Sequence, residues 1–400
     1  MDELHAVFAF LTALAVSVAV TPLTARLARR LGAVDEPGEH GLAERSTPRL
    51  GGAAILAGVL LAGALWLPGS DAIRGILGGA AAITAVGALD DVFDLPPPVK
   101  LLGQVGAALI PVLAGVRVED FTLPFLGRVD LGLTAGGALT LVGLVIVVNV
   151  VNLSDGVDGL AAGVCTISAV TFSIIAFDLA AHSPRGQRPG IEAAAVLAAL
   201  VAGASLGFLF HNFHPAAVFM GDSGSNLLGL LLGCVAVQGT LKTNAVIALI
   251  FPLVILAVPF LDTGFVVAKR IKYGKAVWMG DTWHFHHRFA NIGFSQRRTV
   301  VYLYAWTLVL ATLALALRFV PYSDDHGNLD AAWTAVLVAC GLIALAASVY
   351  LIVVLEIFKF KRVRSRQLRG AEPGTDEHEL EAQVAHELET GEFETVRPPG

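Results

Sequence analysis

The chain has 400 residues, 55% of them hydrophobic and 15% charged, with a mean hydropathy of +0.71. Soluble domains carry about 25% charged residues, so this composition excludes an ordinary water-soluble globular protein. The formal net charge of −6 says little, because the charges are segregated and nine acidic residues lie between Glu372 and Glu394.

Apolar runs recur along the chain, each near the roughly 20 residues a helix needs to cross a bilayer. In order they predict eleven spans, at 4–25, 50–67, 73–89, 101–116, 131–150, 159–178, 191–211, 223–241, 244–267, 299–319 and 331–357. The expected fold is all-α, a polytopic integral membrane protein. Asp2 and Glu3 precede the first run, and Arg26, Arg29 and Arg30 follow it. A cleaved signal has its positive charges first, so this run reads as a helix that enters from outside and ends in the cytoplasm. An odd number of spans then leaves the C-terminus cytoplasmic. The positive-inside rule agrees. Of 27 Lys and Arg, only Arg74, Arg117, Arg128, Arg185, Arg188, Lys242 and Arg318 fall on the outer segments or edges.

Residues 1–357 are expected to form one membrane-embedded domain and 358–400 a cytoplasmic tail. The tail is basic from Lys359 to Arg369 and acidic beyond. Its basic part suits anionic headgroups, and its acidic part reads as disordered or marginally helical. Cys165, Cys234 and Cys340 lie far apart in apolar runs without a CxxC, and read as small buried hydrophobes rather than a disulfide or zinc framework.

Ionisable residues beside membrane helices are costly and mark function by default. They gather in five places, all on the expected inner face. The loop DEPGEHGLAERSTPRLGG carries Arg45 and Arg49, which suit either phosphates or plain membrane anchoring. In ALDDVFDLPPPVKLLGQ, Asp90 and Asp91 end an apolar span, with Lys100 and Gln104 beyond. Carboxylates at a helix C-terminus oppose the macrodipole by about 0.3–1 kcal/mol each, a cost that a metal ion or cationic partner removes. In NVVNLSDGVDGL, Asn149, Asn152, Asp155 and Asp158 recur every third residue. On a helical turn they share roughly one face and offer oxygens to a hard cation or phosphate. In HNFHPAAVFMGDSGSNLLG, Asp222 opens a span where Ser223 or Ser225 can cap the helix, and such an N-terminus suits a phosphate or a Mg²⁺ ligand. The last cluster, DTWHFHHR, holds His284, His286, His287 and Arg288 in a cationic loop; its spacing is not HExxH. Acidic groups for a metal and basic groups for phosphates together are what phosphoryl transfer needs.

These motifs, in this order, resemble the polyprenyl-phosphate N-acetylhexosamine-1-phosphate transferase family: the TPRLGG loop, the Asp90–Asp91 pair with Lys100 and Gln104, NVVNLSDGVDGL, VFMGDSGS and HFHHR. The resemblance covers about residues 5–315. It implies a plasma-membrane enzyme with its active site on the cytoplasmic face. Such an enzyme transfers a sugar-1-phosphate from a UDP-sugar to undecaprenyl or decaprenyl phosphate, releases UMP and starts a lipid-linked envelope glycan. The HFHHR loop looks like the bacterial branch that uses UDP-N-acetylglucosamine. The muramoyl-pentapeptide branch of peptidoglycan synthesis is the alternative. The resemblance further implies Mg²⁺, with Mn²⁺ as a substitute, and a homodimer; no nucleic acid is expected as a partner. By motif position, Asp90 is a candidate base on the lipid phosphate and Asp91 supports the metal. Asn152 and Asp222 match metal positions, and Asp155 and Asp158 match the nucleotide and catalytic cluster. Asn212 and Phe219 match uridine contacts, Lys100 a diphosphate contact, and His284, His286, His287 and Arg288 the sugar and diphosphate side. Both direct attack by the lipid phosphate and a covalent aspartyl route are open, with direct attack preferred. A transporter would place its carboxylates near the midplane, where only Asp178 and Asp262 are available.

Overall fold

The computed structural model describes residues 3–35, 46–118, 120–123, 127–239, 256–261, 263–264, 295–322, 330–350 and 365. Its long helices are α1 (Glu3–Leu31), α2 (Gly52–Trp66), α3 (Asp71–Phe93), α4 (Pro97–Leu113), α5 (Gly132–Ser154), α6 (Leu160–His182), α7 (Arg188–Asn212), α8 (Gly221–Gly239), α9 (Gln296–Phe319) and α10 (Ala331–Val349). Among the described residues, α1, α3, α5, α6, α7, α9 and α10 are long and apolar enough to cross a membrane, and α2 and α4 are shorter apolar helices. The chain is therefore a membrane protein built from helices. Ten of the expected spans correspond to these ten helices. The eleventh, 244–267, lies outside the described residues apart from 256–261 and 263–264.

Two differences from the sequence expectation have local causes. The fourth helix starts at Pro97, before its apolar run. Proline lacks an N–H that the first helical turn leaves unpaired, and its fixed φ suits that turn. The prolines after Leu95 therefore open the helix instead of extending the loop. The fold is also not purely helical. β1 (Val34–Asp35) pairs antiparallel with β2 (Thr47–Pro48), and β3 (Asp120–Leu123) with β4 (Gly127–Asp130).

At the centre stands α8, in which every residue from Ser223 to Gly239 is buried. It packs against α3, α5, α7 and α2. Helices in lipid gain little from apolar contact alone, so close backbone approach and hydrogen bonds do much of the joining. Glycines make that approach possible at α8: a Cβ at Gly52 would stand 2.2 Å from the Gly224 nitrogen, and one at Gly229 2.7 Å from the Val148 Cα.

The pairing of α1 with α7 uses the same device. Ala6, Ala9, Ala13, Ser17 and Thr21 form the buried stripe of α1. Gly203 and Gly207 face it from α7; a Cβ at either would stand 2.1 Å from the Phe10 oxygen or 2.5 Å from the Leu14 oxygen. One turn on, His211 Nε2 lies 3.1 Å from the Val18 oxygen. Pro22 lies inside α1 and has no N–H to give that carbonyl. The histidine donates in its place. Gly207→Val would overpack this seam, at about 1–3 kcal/mol. A lower thermal midpoint in detergent is expected for the purified variant, with Gly143→Val, where the space is open, as the control that does not shift.

Candidate active site

The site forms where α3, α5 and α7 end and α4, α6 and α8 begin. Each of those junctions carries one of the polar motifs.

The first turn of α8 exposes backbone N–H groups that need partners. The sequence suggests a cap from within that turn. The structure supplies one from α3. Asp91 accepts the Asp222 N–H at 2.8 Å through Oδ1 and the Ser223 N–H at 3.2 Å through Oδ2. The hydroxyls of Ser223 and Ser225 turn back to the carbonyls of Met220 and Gly221. Gly221 has φ +68°, and a Cβ there would stand 2.4 Å from Asp91 Oδ2. Glycine is therefore required twice, by its dihedral and by the carboxylate against it. Gly87 allows α3 to lie against the same turn, 2.5 Å from Asp222 by the same measure.

Capped in this way, α8 presents Asp222. Its Oδ1 accepts from Asn152 Nδ2 at 2.9 Å, and Asn152 also donates to Ser225 Oγ at 2.9 Å. Its Oδ2 forms an ion pair with Lys100, whose ammonium is also 3.1 Å from Asp90 Oδ2. Asp90 Oδ1 accepts the Leu95 N–H at 2.9 Å, just past Asp94, which ends α3 in the left-handed region. The cost anticipated for two acids at a helix C-terminus is thus offset twice. Asp91 faces the positive end of another helix, and Asp90 faces a lysine.

Asp155 follows α5 directly and is half-buried; its carboxylate has no hydrogen bond among the described residues. Burial of the carboxyl, then the charges of Asp91 and Asp158, hold its pKa well above the usual carboxylate range. Asp158 accepts from His214 Nδ1 at 2.8 Å and from the Ala216 N–H at 3.0 Å. Arg297, at the start of α9, donates to the His214 carbonyl at 3.1 Å. Tyr304 donates to the Gly159 carbonyl.

Other expected residues are placed differently from their anticipated roles. Arg49 pairs with Asp35 across the base of β1–β2, so its charge is met within the chain. Asn149 does not join Asn152 beside Asp222: its amide donates to Val145 O and to Gln104 Oε1, both at 2.8 Å. Asn212 is 2% exposed and takes the Gly159 N–H at 2.9 Å while giving to Val218 O at 3.0 Å, which makes it a brace between two loops. Phe219 is half-buried. Its backbone pairs with Pro48 O and Gly51 N, tying the TPRLGG loop to the segment before α8. Asp91, expected to support a metal, has both oxygens committed to the α8 backbone, and among the described residues no group of three His, Cys, Asp or Glu is arranged for a metal ion. His284, His286, His287 and Arg288 lie outside the described residues. Sequence reasoning missed His214 and took Ser225 for a helix cap rather than a partner of Asn152; both lie in the quoted HNFHPAAVFMGDSGSNLLG segment, but nothing local marks their partners. Of the two acids available to a transporter, Asp178 pairs with Arg318 at the opposite end of α6, and Asp262 lies outside the described residues.

Comparison with known proteins now bears on this arrangement. The profile of glycosyl transferase family 4 matches residues 73–240, which run from α3 to the end of α8. The probable undecaprenyl-phosphate N-acetylglucosaminyl 1-phosphate transferase of Bacillus subtilis is 35% identical over 324 residues, covering 80% of this chain and 87% of that protein. The chain belongs to glycosyl transferase family 4. Within the family, the decaprenyl-phosphate N-acetylglucosaminephosphotransferase of Mycobacterium tuberculosis strain H37Rv is 35% identical over 325 residues, 75% of this chain and 80% of that one. A phospho-N-acetylmuramoyl-pentapeptide-transferase of Desulforudis audaxviator is 36% identical over 342 residues, 77% of this chain and 95% of that one.

Two predictions follow from the geometry. Asp91→Ala would strand two N–H groups, each at about 1–3 kcal/mol, so its thermal midpoint is expected to fall well below that of Asp90→Ala. For Asp155, a raised carboxyl pKa means that the native protein holds its proton to higher pH than the unfolded chain. Stability from that proton is complete below the ordinary carboxylate value and is lost as pH rises through the raised one. Thermal midpoints across that window should decline for the wild type and decline less for Asp155→Asn.

Proposed function

We propose that this chain transfers N-acetylglucosamine-1-phosphate from UDP-N-acetylglucosamine to a polyprenyl phosphate and releases UMP, at the cytoplasmic face of the plasma membrane. The observation that carries the reading is the meeting of Lys100 with Asp90 and Asp222. Three helix termini bring opposite charges to one point, in a chain whose relatives are named for this transfer. The excess of Lys and Arg that the sequence assigns to the expected inner segments supports the cytoplasmic orientation.

In the reaction, an oxygen of the lipid phosphate attacks the sugar-bearing phosphorus of the donor. A new P–O bond forms, and the bond to UMP breaks with UMP keeping the bridging oxygen. Asp90 stands where it can take a proton from the incoming phosphate. Lys100 holds diphosphate oxygens as charge moves to the leaving group, which is electrostatic stabilisation of the kind that dominates phosphoryl transfer. Asp158, held by His214 and the Ala216 N–H, and the Asn212 brace shape the nucleotide side.

The Asp222 carboxylate and the Asn152 amide, hydrogen-bonded to each other at 2.9 Å, offer side-chain oxygens of the hard kind that Mg²⁺ takes. Asp222 and Asn152 would hold the ion, which neutralises phosphate charge when bound. The similar identity of the muramoyl-pentapeptide relative keeps that donor as a second reading.

The test is an assay of purified protein in detergent with undecaprenyl phosphate and Mg²⁺, following UMP and lipid-linked sugar. Product with UDP-N-acetylglucosamine alone, abolished by EDTA, is expected. Product only with UDP-muramoyl-pentapeptide would replace the donor and keep the reaction, and no product from either would sink the reading. In the same assay Lys100→Met is expected to lose turnover by about 100-fold or more, on the scale of removing one transition-state donor.

A further inference from the structure

Three helices contribute the row at the site end: α4 with Lys100, α5 with Asn152 and α8 with Asp222. One turn deeper in the bundle, each of the same helices carries an amide. Gln104 lies at i+4 from Lys100, Asn226 at i+4 from Asp222, and Asn149 at i−3 from Asn152, so each amide sits on the face of its charged neighbour. These amides bond to one another. Asn149 Nδ2 donates to Gln104 Oε1 at 2.8 Å, and Gln104 Nε2 donates to Asn226 Oδ1 at 3.3 Å.

The direction of the chain is determined. Asn149 Nδ2 also donates to the Val145 carbonyl, which only accepts. Its amide therefore cannot be flipped. Gln104 must turn its oxygen to Asn149 and its nitrogen to Asn226, and Asn226 is left with a buried Nδ2 that has no partner among the described residues. Gln104 is 1% exposed and Asn226 0%.

A chain of buried amides that ends in an unpaired donor is a poor device for stability alone. It is a good device for register. Around it, α8 meets α5 through Gly229 and Gly233 against Val147, Val148 and Leu144. Such smooth apolar surfaces specify rotation and axial position weakly, whereas a buried polar pairing has one satisfied arrangement.

We propose that the Asn149–Gln104–Asn226 ladder is a positioning device for the transfer: it sets the register of α4, α5 and α8 so that Lys100, Asn152 and Asp222 meet. These amides lie one turn below the charged row and touch none of its side-chain charges. They act through the residues one turn above them. The kinetic expectation rests on the transferase reading, but the register itself does not.

The test uses the full-length enzyme with Gln104→Met and Asn226→Leu combined, which keeps shape and removes both partners of the inner bond. Replacing both partners of the inner bond by apolar groups is close to neutral for stability; it removes the unpaired Asn226 donor and costs Asn149 one acceptor while leaving it Val145 O, so the thermal midpoint is expected to stay near that of the wild type. Turnover is expected to fall roughly 10- to 100-fold, as displacement of reacting groups by about 1 Å does, with donor KM little changed. Amide hydrogen exchange is expected to quicken at Asp222 and Ser223, the N–H groups held by Asp91, and to stay unchanged in α6 and α7. Unchanged kcat and unchanged exchange in a folded variant would overturn the ladder. So would a lower midpoint with kcat per folded molecule preserved, because the amides would then be glue only. If the wild type shows no transferase activity, the functional reading fails and the exchange measurement alone decides the ladder.

Discussion

The carboxylate of Asp91 on the first turn of α8 is the contact on which the rest of the site depends. A helix that begins inside a bundle, away from water, has N–H groups with no solvent to meet them. Asp91 meets two of them from the end of a different helix. In doing so it places its own charge against a positive helix end. One contact thus removes two costs, and it locks α3 to α8 at the level of individual atoms. The glycines at 87 and 221 are consequences of that closeness, because a side chain at either would separate the elements.

With α8 held, Asp222 is delivered to Asn152 and Lys100, and Lys100 to Asp90. A further layer holds the loop side. His214 and the Ala216 N–H restrain Asp158, Asn212 joins the Gly159 turn to Val218, and Arg297 and Tyr304 reach in from α9. α9 begins directly beyond the histidine-rich loop in the chain.

Much of this was legible in the sequence, because long apolar runs report spans directly and polar residues at their ends stand out against them. Asp90, Asp91, Lys100, Asn152, Asp155, Asp158 and Asp222 were all located by that contrast, and the structure gathers them at one end of the bundle. Their partners were not legible. Periodicity put Asn149 on the same face as Asn152, yet a turn of depth sends its amide to α4 instead. Local spacing suggested that α8 caps itself, whereas the cap comes from a residue 131 positions away in sequence. Arg49 read as a residue for phosphates or for membrane anchoring, because Asp35 pairs with it only once β1 and β2 form. In each case the chemistry was visible and the neighbour was a product of tertiary packing.

The burial of α8 has a consequence for the enzyme's relation to its solvent. Bilayers differ in thickness, and helices at the lipid boundary respond by tilting or by deforming the membrane around them. α10 has only Ala344 buried along its length, so it stands at that boundary. α8 does not; its flanks are other helices throughout. Strain from hydrophobic mismatch is therefore taken up by the peripheral helices before it reaches the helix that carries Asp222. Asp222 sits on an internal post, screened by other helices from the lipid boundary.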